Sequence, residues 1–216
     1  IHRLNSSIFQ VNLGYDFISK LSFSKNWGLG TSSTLINNLA NWAKVDSYKL
    51  LELTFGGSGY DIACAKSNQP IQFINLNNKI KFKKSKFNPI FKENIFFIYL
   101  EEKQNSRDGI KTYRSKKNKL TKEIKDQLKL INQTILTTNN LKEFEQCVTK
   151  HELLISKIIG FDTLKNKLFK DYDKGVVKSL GAWGGDFALV TGSKLDMNYF
   201  LKKGYKTIFN YSQLIK

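Results

Sequence analysis

The chain has 216 residues and a mass of 24.9 kDa, 41% of it hydrophobic and 13% aromatic, which suffices for a packed core and excludes a disordered tail or linker. Its 35 basic residues against 18 acidic ones give a net charge of +17, so anionic partners are expected. No apolar run approaches the ~20 residues of a membrane span, and two cysteines far apart with two histidines do not supply a zinc site.

Residues 8–23 read as extended chain, the last five alternating with period two. A Gly-Leu-Gly turn at 28–30 follows, and Thr31, Ser32, Ser33 and Thr34 offer cap oxygens for a helix that continues to Ala43. A second helix is predicted over 47–53, stopped by Gly56-Gly57-Ser58-Gly59, with one or two helical turns over 60–66. A short strand is expected at 72–74 and a lysine-faced strand or two within 79–92. Residues 94–100 are a strongly apolar strand candidate. Leu120, Ile124, Leu128, Ile131 and Ile135, then Leu141, Phe144 and Val148, repeat at helical spacing and predict an αα-hairpin through residues 137–140. His151 falls inside the second of these helices, as a surface or packed residue rather than a ligand. A helix over 162–169, the segment Val176-Val177-Lys178 leading to a glycine-rich stretch at 181–185, a strand at 187–190, and a helix over 196–203 that gives way to Thr207-Ile208-Phe209 complete the series. Strands and helices mix without a regular βαβ period, so the class is α+β. A boundary is expected between residues 100 and 115, with domains at 1–110 and 111–216.

Three glycine-rich loops concentrate the chemistry. Gly28-Leu29-Gly30-Thr31-Ser32-Ser33-Thr34 lies between a predicted strand and a helix start, where glycine allows close approach and free amides favour an anion. It is neither a Walker A loop nor GxGxxG, and an ordinary helix cap is the alternative. Gly56-Gly57-Ser58-Gly59-Tyr60-Asp61 fixes an aspartate on a tight turn, able to accept or orient a hydroxyl proton or simply to begin a helix. Glu52, nine residues earlier, reaches a metal or faces solvent. Gly181-Ala182-Trp183-Gly184-Gly185-Asp186 suits a bound phosphate or a close chain crossing.

Taken in order, these loops resemble those of the GHMP kinases, the family of galactokinase, homoserine kinase, mevalonate kinase and phosphomevalonate kinase. The string Gly59-Tyr60-Asp61-Ile62-Ala63 is similar to that of a bacterial GYDIA subgroup. The resemblance implies a ribosomal-protein-S5-domain-2-like N-terminal part, here partial, and a ferredoxin-like C-terminal part. It implies ATP and Mg2+ as cofactors, with Gly28, Leu29, Gly30, Thr31, Ser32 and Ser33 around the phosphates. The third loop, packed on the first, would add Gly181, Gly184 and Gly185. Asp61 takes the place of the catalytic base; the serine near the metal is by position Ser32 or Ser33, with Ser33 the expected ligand, and Glu52 takes the place of a second metal ligand on a looser match. Trp183 stands where the family has glycine and Asp186 where it has a small neutral residue, changes expected to reshape the acceptor pocket or to repel a phosphorylated substrate. Ser106-Arg107 resembles a family turn near the substrate.

The function so implied is an ATP-dependent small-molecule kinase, with mevalonate or phosphomevalonate as the acceptors the resemblance suggests. Family members carry a long segment before the first loop, which here begins at residue 28, so an N-terminally truncated chain, inactive alone, is expected. The alternatives are a catalytically dead GHMP-like binding protein and an S5-like nucleic-acid-binding protein. Of the basic residues, 32 are Lys and three are Arg, accompanied by 20 Asn. Such lysine usage reflects coding bias as readily as phosphate binding, so an anionic small molecule, not nucleic acid, is the expected partner. A membrane partner is not expected, a homodimer stays open, and the cysteine usage suits a cytoplasmic location.

Overall fold

In the computed structural model, residues 1–10, 12–76, 79–101, 115, 120–181 and 185–215 are described. The chain divides into two units, one of residues 1–25 and 29–86, the other of residues 26–28 and 87–216. The boundary expected at 110/111 lies outside the described residues.

The first unit is built on three helices, α1 (Thr31–Ala43), α2 (Ser47–Glu52) and α3 (Tyr60–Ala65), and a hairpin of β1 (Ile71–Leu76) and β2 (Lys79–Lys84). Ile36, Ala40 and Ala43 recur at helical spacing and form the buried stripe of α1. With Leu50, Leu51 and Ile62 they account for most of the buried apolar residues of this unit. Helix α1 ends at Lys44, left-handed at φ 53°, and Asp46 starts α2 by accepting a hydrogen bond from the Lys49 amide at 2.8 Å. The strands pair antiparallel, with Phe73 opposite Phe82 and Ile74 opposite Lys81.

The extended chain predicted over 8–23 forms no strand among its described residues. After a 3-10 turn at Ser6–Ile8 the segment runs irregularly. Its rings at Phe9, Tyr15 and Phe17 gather on Trp42, while Ile18 stays 86% exposed. Alternation fixes which side chains share a face, but a strand also needs a hydrogen-bonding neighbour.

The second unit holds β3 (Ile95–Tyr99), the long helices α4 (Lys122–Thr137) and α5 (Leu141–Ile159), and a short α6 (Leu164–Leu168). Then come β4 (Val177–Ser179), β5 (Phe187–Thr191), α7 (Asn198–Lys202), β6 (Ile208–Asn210) and α8 (Tyr211–Leu214). The sheet order is β4-β5-β3-β6 and every pairing is antiparallel. This is the βαββαβ arrangement of a ferredoxin-like fold, with the first strand between the third and the fourth. Thr121 and Asn140 cap the two long helices by accepting from the amides of Ile124 and Glu143. The core joins Phe96, Ile98, Phe169, Val190 and Phe200.

A polar tie fastens α5 to β4. Glu152, 7% exposed, accepts from Lys178 Nζ at 3.1 Å and from the Ser179 amide at 3.2 Å. Beside it, His151 keeps a buried Nδ1 with no hydrogen-bond partner among the described residues. Burial and the neighbouring Lys178 charge push its pKa down to about 4.

Candidate functional site

Trp27, within the second unit, packs its ring against Phe209 at 5.1 Å and Phe187 at 6.2 Å between centroids. Gly28 follows at φ +62°, and a Cβ placed there would fall 1.7 Å from Oδ2 of Asp186. Only glycine lets the backbone approach that carboxylate so closely. Gly185, next to Asp186, is buried, and Gly181 is exposed at φ +76°. Ala182, Trp183 and Gly184 lie outside the described residues, as do Ser106 and Arg107.

Gly30 is the N-cap of α1, left-handed at φ 72° and ψ 26°, and no side chain caps the helix. Its carbonyl accepts from the Thr34 amide at 2.9 Å and from Thr34 Oγ1 at 3.1 Å. Thr34 thus stabilises the acceptor side of the turn and leaves the first amides to another partner. Thr31 and Ser33 are half-buried and Ser32 is exposed. Thirteen residues of α1 put the positive end of a helix dipole at this point.

Asp61 sits in the first turn of α3, again behind a left-handed glycine, Gly59 at φ 79°. Gly59 is packed tightly: a Cβ would fall 2.6 Å from Ile80 Cδ1 and 3.1 Å from the Tyr48 ring. Helix α3 packs against α1. The result is that a Cβ on Gly30 would lie 3.7 Å from Cβ of Asp61 and 3.8 Å from its Cγ. Much of Asp61 reaches solvent, yet burial of the remainder raises its carboxyl pKa above the ordinary carboxylate value. Its neighbours Tyr60 and Cys64 are hydrogen-bonded to each other, and burial raises the pKa of both.

Glu52 is exposed at the end of α2 and lines a cleft of about 360 Å³ with Gly56, Gly57, Ser58 and Gly59. Ser33 and Asp61 are not among the residues lining that cleft. Among the described residues no group of three or more His, Cys, Asp or Glu converges on a metal position. Tyr48 supports Gly59 and holds a buried hydroxyl without a partner among the described residues. No glycine or charge pattern flags Tyr48 in the sequence, since its importance lies in a contact between separate elements.

The start of α1 offers the features an anion needs, a glycine turn without a side-chain cap at a helix N-terminus. A magnesium ion fits only in company with phosphate oxygens, which normally supply part of its shell.

Neither a comparison with protein-family models nor one with curated protein sequences finds a match. Solved structures do match. A Lin0012 protein from Listeria innocua aligns with a TM-score of 0.59 at 14% identity, over 87% of this chain and 64% of that one. L. major mevalonate kinase in complex with R-mevalonate aligns with a TM-score of 0.57 at 15% identity, over 84% of this chain and 64% of that one. Another mevalonate kinase aligns with a TM-score of 0.59 at 19% identity, over 88% of this chain and 66% of that one. The chain thus spans less than two thirds of the length of each. The fold is α+β and GHMP-kinase-like.

Proposed function

We propose that the chain carries the phosphate-binding and catalytic loops of an ATP- and Mg2+-dependent small-molecule kinase. The observation that carries this reading is the juxtaposition of Gly30, at the uncapped start of α1, with the Asp61 carboxylate. Phosphoryl transfer needs little covalent chemistry from a protein. It needs a cradle for phosphate oxygens, a cation, and a group that orients the attacking hydroxyl.

In this reading Gly28, Leu29, Gly30, Thr31 and Ser32 hold the phosphates through backbone amides and hydroxyls. Ser33 and Glu52 are the proposed metal ligands, and the metal neutralises charge on the phosphates when bound. Asp61 accepts or orients the proton of the acceptor hydroxyl, and its raised pKa makes it a stronger base than an ordinary carboxylate. Gly181, Gly184 and Gly185 shape the acceptor side. Mevalonate and phosphomevalonate are the first acceptors to test, since two of the similar structures are mevalonate kinases.

A second reading has one observation in its favour. Asp186 sets a carboxylate against Gly28, which opposes an anion at that point. A protein that binds a nucleotide weakly, or a metabolite without transferring phosphate, is consistent with it.

The test is a transfer assay on the protein as its gene encodes it, with ATP, Mg2+ and a panel of mevalonate, phosphomevalonate and small sugars. Magnesium-dependent phosphorylation of one acceptor supports the kinase reading. Nucleotide binding with no transfer to any acceptor supports the second, and absence of nucleotide binding overturns the kinase reading.

A further inference from the structure

The positive charge of the chain is not evenly distributed. Between Asp61 and Glu93 there are seven lysines and neither an aspartate nor a glutamate. Four of the seven, Lys79, Lys81, Lys83 and Lys84, lie on β2, and all four are exposed. Alternate side chains of a strand share a face, so Lys79, Lys81 and Lys83 stand together. The register sets Ile74 and Gln72 across from Lys81 and Lys83. None of these lysines belongs to an ion pair among the described residues. Phe73 and Phe82 pair on the opposite face, where Tyr60 meets Phe73 edge-on at 5.5 Å.

We propose that this lysine face of the β1–β2 ribbon binds the phosphate backbone of duplex nucleic acid without reading its sequence. Lysines at alternate positions of a strand repeat about every 6.8 Å, twice the ~3.4 Å axial spacing of phosphates along one strand of a duplex. The face carries no arginine fork, which leaves point charges suited to phosphate. It carries no aromatic ring either, so it offers no platform for unstacked bases. The surface is distinct from the Gly30–Asp61 pair and goes beyond the phosphotransfer reading.

The test is fluorescence anisotropy of a short mixed-sequence DNA duplex titrated with the protein at several salt concentrations. The triple variant Lys79→Gln/Lys81→Gln/Lys83→Gln lowers the slope of log affinity against log salt by about 2.7, at ~0.9 for each phosphate no longer neutralised. A control variant, Lys142→Gln/Lys150→Gln/Lys157→Gln, removes equal charge from exposed positions of α5 and leaves the slope unchanged. Should the triple ribbon variant fail to fold, Lys81→Gln alone serves, with an expected drop of about 0.9. Equal slopes for ribbon and control variants overturn the proposal, as does absence of duplex binding at low salt. Binding to phosphatidylserine vesicles that a duplex does not displace also overturns it, and assigns the face to a membrane.

Discussion

Gly30 and Asp61 are direct neighbours: a Cβ placed on the left-handed residue that opens α1 would meet the Asp61 side chain at 3.7 Å from Cβ and 3.8 Å from Cγ. Both helices begin in the same way, behind a left-handed glycine and without a side-chain cap. An uncapped helix start and a carboxylate are thereby brought together by the packing of α3 on α1.

Replacing Gly30 isolates the backbone effect at this turn. A methyl at 3.7 Å is in ordinary van der Waals contact, so Gly30→Ala meets no clash, only the left-handed φ of +72°. The expected loss is about 1–2 kcal/mol. Urea unfolding checks it, with a lower midpoint and an unchanged slope.

Gly28 differs because its Cβ position is occupied by the Asp186 carboxylate. Gly28→Ala therefore incurs both the conformational cost of about 1–2 kcal/mol and the displacement of Asp186. In an Asp186→Ala background only the first remains. A double-mutant cycle on unfolding free energies is expected to show coupling of at least about 0.5 kcal/mol. Strict additivity would contradict the close approach.

How much of the fold and the site is legible in the sequence differs from residue to residue. Helix α1 is readable from Thr31 onward because the glycine turn and the Ile36–Ala40–Ala43 stripe agree, although none of the hydroxyls of Thr31–Thr34 caps it as the sequence suggests. The pair α4 and α5 is readable for the same reason, with Thr121 and Asn140 as caps. The extended chain predicted over 8–23 forms no strand among its described residues because its alternation names no partner. The sheet order β4-β5-β3-β6 is invisible as well, since it depends on pairings such as Phe97 with Leu189 across a long stretch of chain. Asp61 stands out through its glycine turn, but neither its approach to Gly30 nor that of Asp186 to Gly28 has a local sequence signal.

His151 gives the protein an acid-side liability. Its pKa of about 4 in the fold lies below the ordinary 6.5, so the unfolded chain binds more protons between those values. Stability is present above pH 6.5 and is lost as pH falls toward 4, by at most about 1.4 kcal/mol per pH unit. His151→Phe removes the titrating group. Unfolding midpoints measured across that window are expected to fall less steeply in the variant.

Glu152 and Lys178 form the buried ion pair between α5 and β4, with side chains 8% and 18% exposed. Glu152→Ala strands the lysine and the Ser179 amide, at a cost of about 3–5 kcal/mol. Replacing both partners, as Glu152→Leu/Lys178→Met, costs less than Glu152→Ala alone because no charge is left behind. Chemical denaturation of the three proteins gives the order directly.

The most direct measurement compares the parent protein, as its gene encodes it, with Asp61→Asn for ATP binding and for phosphoryl transfer to the acceptor panel. The expected result is undiminished nucleotide binding with transfer reduced about 10²–10⁴-fold. The parent's rate should climb with pH above the usual carboxylate range, because burial raises the Asp61 pKa. Equal turnover by both proteins would contradict the role given to Asp61, and a parent that does not bind ATP would contradict the phosphate-binding role of the loop at 28–34.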